Sequence, residues 1–154
     1  MKEFTYLCLI ILCTNCEQKT HTMNENLAVA QQAFEGWHVG ENTGDYTAFK
    51  QLLTEEFDIF DHPLAGRFRG SKAREQINKM IAGREQTPNE LRFSEVQITP
   101  SGKQFYFLFK SEGPVLGKFY FDGYNIIVLS VEEGKLTGFR EYLGAVDPAW
   151  FKDE

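Results

Sequence analysis

Five consecutive apolar residues, Phe105 to Phe109, limit the folds open to this chain more than any other segment does. Their sequence, Phe-Tyr-Phe-Leu-Phe, is typical of a β-strand. Successive side chains of a strand point to opposite faces of the sheet, so a strand that is apolar at every position must be covered on both faces. We therefore expect helices on one face of this sheet and a second apolar surface on the other.

The part of the chain before this strand predicts three helices. Apolar residues recur at helical spacing between residues 26 and 40, where glycine ends the pattern. Asp45 is placed to cap a second, shorter helix. Ser71 is placed to cap the third helix, which we expect to end at Gly83.

The rest of the pattern predicts strands. A short strand at residues 57–62 ends at Pro63, which begins a loop. Beyond Pro88 four strands are expected, at residues 91–98, 104–110, 118–131 with an interruption at 122–123, and 136–143. Helices followed by a run of mostly antiparallel strands predict an α+β fold, in which a curled sheet wraps around the three N-terminal helices.

The length of 154 residues fits one domain of the usual size, about 100–150 residues. After the last strand no helix is left to cover the second face of the sheet. Pairing of two sheets in a homodimer is the economical cover, so we expect a homodimer.

Charge and aromatic content limit the classes of partner. Sixteen basic against 22 acidic residues give a net charge of -6, and no run of Lys or Arg occurs, which argues against nucleic acid or an anionic membrane surface. The chain also has 14 Phe, 6 Tyr and 2 Trp, more than a core of this size requires. We expect part of this aromatic surface to line a pocket for a small apolar ligand or an interface.

The N-terminus predicts an export signal. Residues 4–13 form an apolar run of the length of a signal-peptide core, too short to span a bilayer. All three cysteines lie within the first sixteen residues, so the domain that follows, residues 26–154, has no cysteine for a disulfide or a thiolate metal site. We expect residues 1–15 to be a signal peptide and residues 16–25 a polar tether.

Cys16 closes the apolar run as the lipid-modified cysteine of bacterial lipoproteins does. On this interpretation the protein is lipid-anchored at the cell envelope, on the periplasmic side. The alternative is a translation start at Met23, which would leave a cytoplasmic protein.

Three groups of residues, in this order and spacing, resemble the nuclear transport factor 2-like superfamily and its SnoaL-like branch of ketosteroid isomerase-like and polyketide cyclase-like proteins. They are Asn42-Thr43-Gly44-Asp45; Phe60-Asp61-His62-Pro63 with Gly66 and Arg69-Gly70; and Gly134-Lys135-Leu136 with Arg140-Glu141-Tyr142. The resemblance covers about residues 24–147. It implies a cone-shaped, cystatin-like α+β roll with a pocket between the concave face and the helices, often in a homodimer. It implies no single reaction, because this fold carries isomerases, cyclases, dehydratases, hydrolases and proteins that only bind.

His62 is the first candidate catalytic residue. It lies before Pro63 at the position where similar ketosteroid isomerases carry a catalytic aspartate, and histidine is suited to moving protons near neutral pH. The isomerase pattern is otherwise not reproduced, because Trp37 and about Ile126 stand where the resemblance implies the two oxyanion donors. In the alternative interpretation, His62 only stabilises the Pro63 turn.

Glu141 is the second candidate. Strand alternation places it on one face with Phe139 and Leu143, in apolar surroundings that favour the protonated carboxyl of a general acid. Its position resembles that of catalytic carboxylates in limonene epoxide hydrolases and phenazine-biosynthesis proteins, although their partner residues are not found here. In the alternative interpretation, Glu141 is a buried structural carboxylate paired with Arg140 or another arginine.

Together His62 and Glu141 predict a proton-transfer pair facing one cavity. The residues expected to line it are Trp37, Tyr46, Asp58, Phe60, Phe68, Tyr106, Tyr120 and Leu143. We expect no metal and no cofactor, because His38 has no second ligand at metal spacing and no glycine-rich phosphate loop occurs. Two functions follow: a cofactor-independent acid/base enzyme (isomerase, cyclase or dehydratase type) acting on a small apolar carbonyl compound, or a non-catalytic domain that binds a hydrophobic ligand or partner.

Overall fold

The structure is a computed structural model that describes residues 3–144, with side chains described from residue 23 onward. In chain order the elements are α1 (Glu3–Thr43), α2 (Thr47–Lys50), β1 (Ile59–His62), β2 (Gly66–Arg69), α3 (Ser71–Gln86), β3 (Arg92–Ser101), β4 (Gln104–Val115), β5 (Phe119–Glu132) and β6 (Lys135–Leu143). The strands form one curled, unclosed sheet in the order β2-β1-β6-β5-β4-β3. Only β1 and β6 are parallel among these neighbours, so the sheet is mixed, and the predicted α+β class is confirmed.

The helices cover one face of the sheet, as the apolar strand requires. Phe105, Phe107 and Phe109 of β4 are fully buried on this inner face. Phe34 of α1 stacks on Phe107 with ring centroids 4.4 Å apart. The alternate residues of β4 point to the outer face, where the side chain of Leu108 remains 38% exposed. One face of the sheet is therefore packed by the chain itself, and the other carries exposed apolar residues.

Helix α1 is longer than predicted, since it runs unbroken from Glu3 to Thr43 through the expected tether at residues 16–25. No glycine or proline occurs between residues 3 and 35 to interrupt it. The side chains of residues 3–22, Cys16 included, lie outside the described part, so the signal and the lipid modification stay predictions. In the described residues, no helix combines the length and the apolar character needed to cross a membrane.

Three further boundaries differ from the sequence prediction. The loop expected after Pro63 contains β2, which forms a hairpin with β1 because Gly66 adopts a φ of +103° that turns the chain back. Helix α3 continues through Gly83 to Gln86 instead of ending at the glycine. Strand β5 passes residues 122–123 without interruption, because the matching residues of β4 supply its hydrogen-bonding partners.

Two helical glycines make a matched pair for a stability test. Alanine is favoured over glycine in a helix by about 1 kcal/mol. At Gly83 nothing lies within 4 Å of an added Cβ atom, so Gly83→Ala is expected to raise the free energy of unfolding by about 0.5–1 kcal/mol. At Gly40 the Cβ atom would overlap the buried ring of Tyr46, so Gly40→Ala is expected to lower it by about 1–3 kcal/mol.

Urea unfolding of the two variants beside the wild-type protein measures both changes. The free energy of unfolding is expected to rise in Gly83→Ala and to fall in Gly40→Ala, although helix propensity alone would stabilise both variants. If Gly40→Ala were stabilising as well, the packing of Tyr46 against α1 would be incorrect.

Candidate active site

His62 and Glu141 are brought into contact by the parallel pairing of β1 with β6. Asp61 pairs with Arg140, so the next residue of each strand points to the inner face at the same level. His62 Nε2 lies 3.2 Å from Glu141 Oε2, and the side chains are only 2% and 8% exposed. The two residues predicted to face one cavity therefore form a buried, directly bonded pair.

The hydrogen bonds of His62 assign its tautomer. The backbone N–H of Leu64 donates to His62 Nδ1 over 3.1 Å, so Nδ1 acts as an acceptor and carries no proton. The ring proton is therefore on Nε2, where it is donated to Glu141 Oε2. Glu141 Oε2 is therefore the acceptor of this hydrogen bond, which orients the carboxyl group.

Arg84 of α3 lies beside this pair. Its Nη1 forms an ion pair with Glu41, and its Nη2 lies 3.3 Å from His62 Nε2. In this tautomer His62 Nε2 carries its own hydrogen and cannot accept one from Arg84. Burial lowers the pKa of Arg84 to about 10, and the charge of Glu141 acts in the opposite direction. The guanidinium thus stays charged at neutral pH, between two carboxylates.

Glu41, near the end of α1, holds several elements together. Tyr46 Oη donates to its Oε1 and Asn89 Nδ2 to its Oε2, each over 2.7 Å. Asn89 Oδ1 in turn accepts the backbone N–H of Leu116, in the turn between β4 and β5, over 2.9 Å. Burial raises the pKa of Tyr46, which keeps its hydroxyl protonated as a donor. The carboxylate of Glu41 is therefore fully buried and bonded on both oxygens.

These side chains surround a small cavity with a mixed lining. Its polar lining residues are Glu41, His62, Arg84, Asn89, Asn125 and Glu141, and its apolar ones are Leu64, Leu91, Val115, Phe121 and Leu143. The volume of about 30 Å³ has room for one or two water molecules. A larger pocket, of about 350 Å³, lies at the ends of β1 and β6 and shares His62, Glu141 and Leu143 with the cavity.

Of the predicted lining residues, Leu143 borders both spaces. Trp37 and Phe60 lie in the hydrophobic core, where their rings contact Phe139. Phe68 stacks on Phe60 with ring centroids 6.3 Å apart. Tyr46 reaches the site only through its hydrogen bond to Glu41. These aromatic residues support the site from the core and do not line the cavity.

Three other predicted lining residues lie elsewhere. Asp58 is exposed before the start of β1. Tyr106 lies on the outer face of the sheet, and its hydroxyl donates to Gln104. Tyr120 is 60% exposed, with its hydroxyl donating to Glu112. The prediction of an aromatic lining is thus corrected. The cavity lining is mixed rather than aromatic, because several inner-face positions next to the site carry polar residues.

Four polar residues of the cavity were not predicted from the sequence: Glu41, Arg84, Asn89 and Asn125. A signal existed for three of them, because each occupies a position where the pattern calls for an apolar residue. Glu41 continues the stripe of Phe34 and Trp37 along α1. Arg84 continues the stripe of Ile77 and Ile81 on α3, and Asn125 alternates with Ile127 and Leu129 on β5. Asn89 lies outside the regular elements and carried no such signal.

In the part of the chain that the structure describes, no group of His, Cys, Asp and Glu side chains is arranged to hold a metal ion. No protein-family model matches the chain, and no curated protein does.

Solved structures do resemble it. An NTF2-like protein from Anabaena variabilis is 28% identical, with a TM-score of 0.67 over 79% of this chain and 91% of that protein. A protein from Catenulispora acidiphila with a ketosteroid isomerase-like fold, in complex with trimethylamine, is 15% identical, with a TM-score of 0.56 over 72% and 84%. TerC, co-crystallised with polyporic acid, is 14% identical, with a TM-score of 0.60 over 82% and 95%. On its topology and these similarities, the chain belongs to the nuclear transport factor 2-like superfamily.

Proposed function

We propose that this protein is a cofactor-independent enzyme that moves a proton on a small carbonyl compound, in the manner of an isomerase, cyclase or dehydratase. The observation that carries the proposal is the buried hydrogen bond between His62 Nε2 and Glu141 Oε2. A buried carboxylate oriented by a neutral imidazole is a competent base. The proposal refines the role of Glu141, which acts first as a base and returns the proton afterwards.

Glu141 takes the proton from the carbon next to the substrate carbonyl, and the C–H electron pair passes into an enolate. Return of the proton from the Glu141 carboxyl to a different atom completes an isomerisation. His62 orients Glu141 through Nε2–H and is itself oriented by the backbone N–H of Leu64.

The size of the site favours a small substrate. The inner cavity holds no more than water, whereas the pocket at the ends of β1 and β6 has a volume of about 350 Å³. This volume lies at the lower end of the usual range for small-molecule sites, about 300–1,000 Å³. Two superfamily neighbours have been crystallised with small organic molecules, trimethylamine and polyporic acid. We therefore place the substrate in the pocket, against Glu141.

The test is hydrogen exchange from solvent into carbonyl compounds. Small ketones, aldehydes and keto acids are incubated with the protein in D₂O, and loss of the proton signal next to the carbonyl is followed by NMR. General base catalysis contributes about 10²- to 10⁴-fold in rate, so Glu141→Gln is expected to remove an acceleration of that size. His62→Phe, which cannot orient the carboxylate, is expected to lower the rate by a smaller factor.

Glu55→Gln is the matched control, because it makes the same change at an exposed carboxylate in the loop before β1. It is expected to leave the exchange rate unchanged. A wild-type rate no faster than buffer for every compound, or equal rates for Glu141→Gln and the wild type, would reject the enzyme.

Binding without catalysis is the second candidate function. A groove of about 580 Å³ borders α3, with Leu64, Met80 and Leu116 among its walls. It is larger than the pocket beside Glu141, and it suits a hydrophobic ligand. Ligand-dependent stabilisation that is lost in Met80→Glu, together with no exchange activity, would favour this function.

The proposal extends to assembly and location. Homodimerisation through the outer sheet face follows from its exposed apolar residues, and the envelope location follows from the sequence around Cys16. Labelling of cells with radioactive palmitate tests the proposed lipid anchor at Cys16. Lipidation predicts label in the wild-type protein and none in Cys16→Ser.

A further inference from the structure

The pocket at the ends of β1 and β6 has one arginine among its lining residues. Arg67, on β2, is exposed and lines this pocket together with Asp61, His62 and Glu141. Among the described residues, Arg67 makes no hydrogen bond and no ion pair within the usual distances. Its guanidinium therefore remains available to a bound molecule.

The register of the sheet places two more arginines near Arg67. Asp61 pairs with Arg67 on one side and with Arg140 on the other, so these three side chains form a row on the outer face. His62 and Glu141 point to the inner face, and the pocket at the strand ends is lined from both faces. Arg69 donates to both Asp61 oxygens, over 2.5 and 3.0 Å, and Arg140 Nε lies 3.4 Å from Asp61 Oδ2. The Asp61 carboxylate thus faces three guanidinium groups. Its two oxygens are taken up by Arg69 and Arg140, and Arg67 is left without a bond to it.

The chain has a net charge of -6, yet Arg67 gives this pocket a positive charge that no described carboxylate binds. The two carboxylates that line the pocket have other partners. Asp61 is paired with Arg69 and Arg140, and Glu141 contacts His62 Nε2, which also lies 3.3 Å from Arg84 Nη2. A negatively charged ligand is therefore attracted to Arg67 and is not rejected by Glu141.

We infer that the substrate of this site carries a carboxylate, and that Arg67 binds it. The inference rests on the proposed function and narrows its substrate class from carbonyl compounds to keto acids. The planar guanidinium can donate two parallel N–H bonds to a carboxylate, which fixes the orientation of the ligand as well as its position. Arg67 is thus the residue that determines specificity, and the carbonyl end of the substrate faces Glu141.

The experiment compares acids with their uncharged amides. Pyruvate, levulinate and benzoate, and the three corresponding amides, are titrated into the protein while amide chemical shifts are followed by NMR. The carboxylates are expected to bind more tightly than the amides and to shift signals at β2 and the end of β6. Loss of one charged hydrogen-bonding partner weakens binding by about tenfold or more, so Arg67→Gln is expected to raise the Kd of the acids by that factor.

Arg67→Lys and Arg92→Gln complete the comparison. Lysine keeps the charge without the planar fork, so partial recovery of acid binding is expected. Arg92 is an exposed arginine on the distant edge strand β3, and its replacement is expected to change nothing at the pocket. Equal affinities for acids and amides, or equal effects of Arg67→Gln and Arg92→Gln, would overturn the inference.

The same titrations separate this inference from the proposed function. Glu141→Gln is expected to keep binding the acids, because it leaves Arg67 in place. If acid binding depends on Arg67 but no compound shows exchange activity, the enzymatic function is ruled out and the anion site is supported. Exchange activity on keto acids that Arg67→Gln leaves unchanged would support the enzyme and rule out the anion site.

Discussion

Replacing Glu41 by glutamine is expected to lower the free energy of unfolding by about 3–5 kcal/mol, because a buried positive charge loses its partner. The Arg84 guanidinium is 9% exposed and the Glu41 carboxylate 3%. Glutamine also has an NH₂ group in place of one carboxylate oxygen, so either Asn89 Nδ2 or Tyr46 Oη loses its acceptor. A loss of this size is a large fraction of the stability of a domain, about 5–15 kcal/mol.

Urea unfolding followed by fluorescence measures the loss. Glu132→Gln is the matched control, since Glu132 forms a solvent-exposed ion pair with Lys103. Such pairs contribute about 0–1 kcal/mol, so the control is expected to unfold almost as the wild type does. Replacing both Glu41 and Arg84 by methionine removes both charges and is expected to be less destabilising than Glu41→Gln. A Glu41→Gln variant as stable as the control would show that Arg84 does not depend on Glu41.

Much of the fold was predictable because each element carries its own periodicity. The apolar stripe of α3 and the alternation of β4 identify a helix and a strand without knowledge of their neighbours. The ends of the strands were less predictable, because they depend on hydrogen-bond pairing with neighbouring strands. Residues 111–115 of β4 include glycine and proline, yet they continue the strand because β5 offers matching partners from Phe119 to Gly123. Hairpin β1–β2 likewise depends on a backbone conformation at Gly66 that the pattern does not specify.

The site was predictable only in part, for a related physical reason. The position of Glu141 was indicated by its phase in an apolar strand, and that of His62 by the strand end before Pro63. Their contact follows from the parallel pairing of β1 with β6, between segments about 80 residues apart. The ion pair of Glu41 with Arg84 joins residues 43 positions apart, and no local pattern relates them. A charged residue in an apolar phase indicates burial, but only the assembled fold identifies its partner.

The outer face of the sheet supports a prediction about assembly. In the register of β4, β5 and β6, Leu108, Ile126 and Tyr142 lie side by side on this face. Their side chains are 38%, 38% and 50% exposed, and helices α2 and α3 lie on the opposite face. A row of apolar residues across three central strands suits a self-complementary interface, in which the same row of a second copy packs against it.

Ile126→Asp is expected to prevent the predicted homodimer from forming, because it places a charge at the centre of the row in both copies. Desolvating these charges without partners is expected to raise the Kd of the dimer by at least about a hundredfold. Size-exclusion chromatography with light scattering measures the change, with the wild type expected at twice the chain mass of 17.7 kDa.

Leu116→Asp is the control, since Leu116 is 47% exposed in the turn between β4 and β5, away from the row. It is expected to remain dimeric at the same concentration. A wild type that is monomeric at this concentration would contradict the prediction. An Ile126→Asp variant that stays dimeric would place the interface elsewhere on the protein.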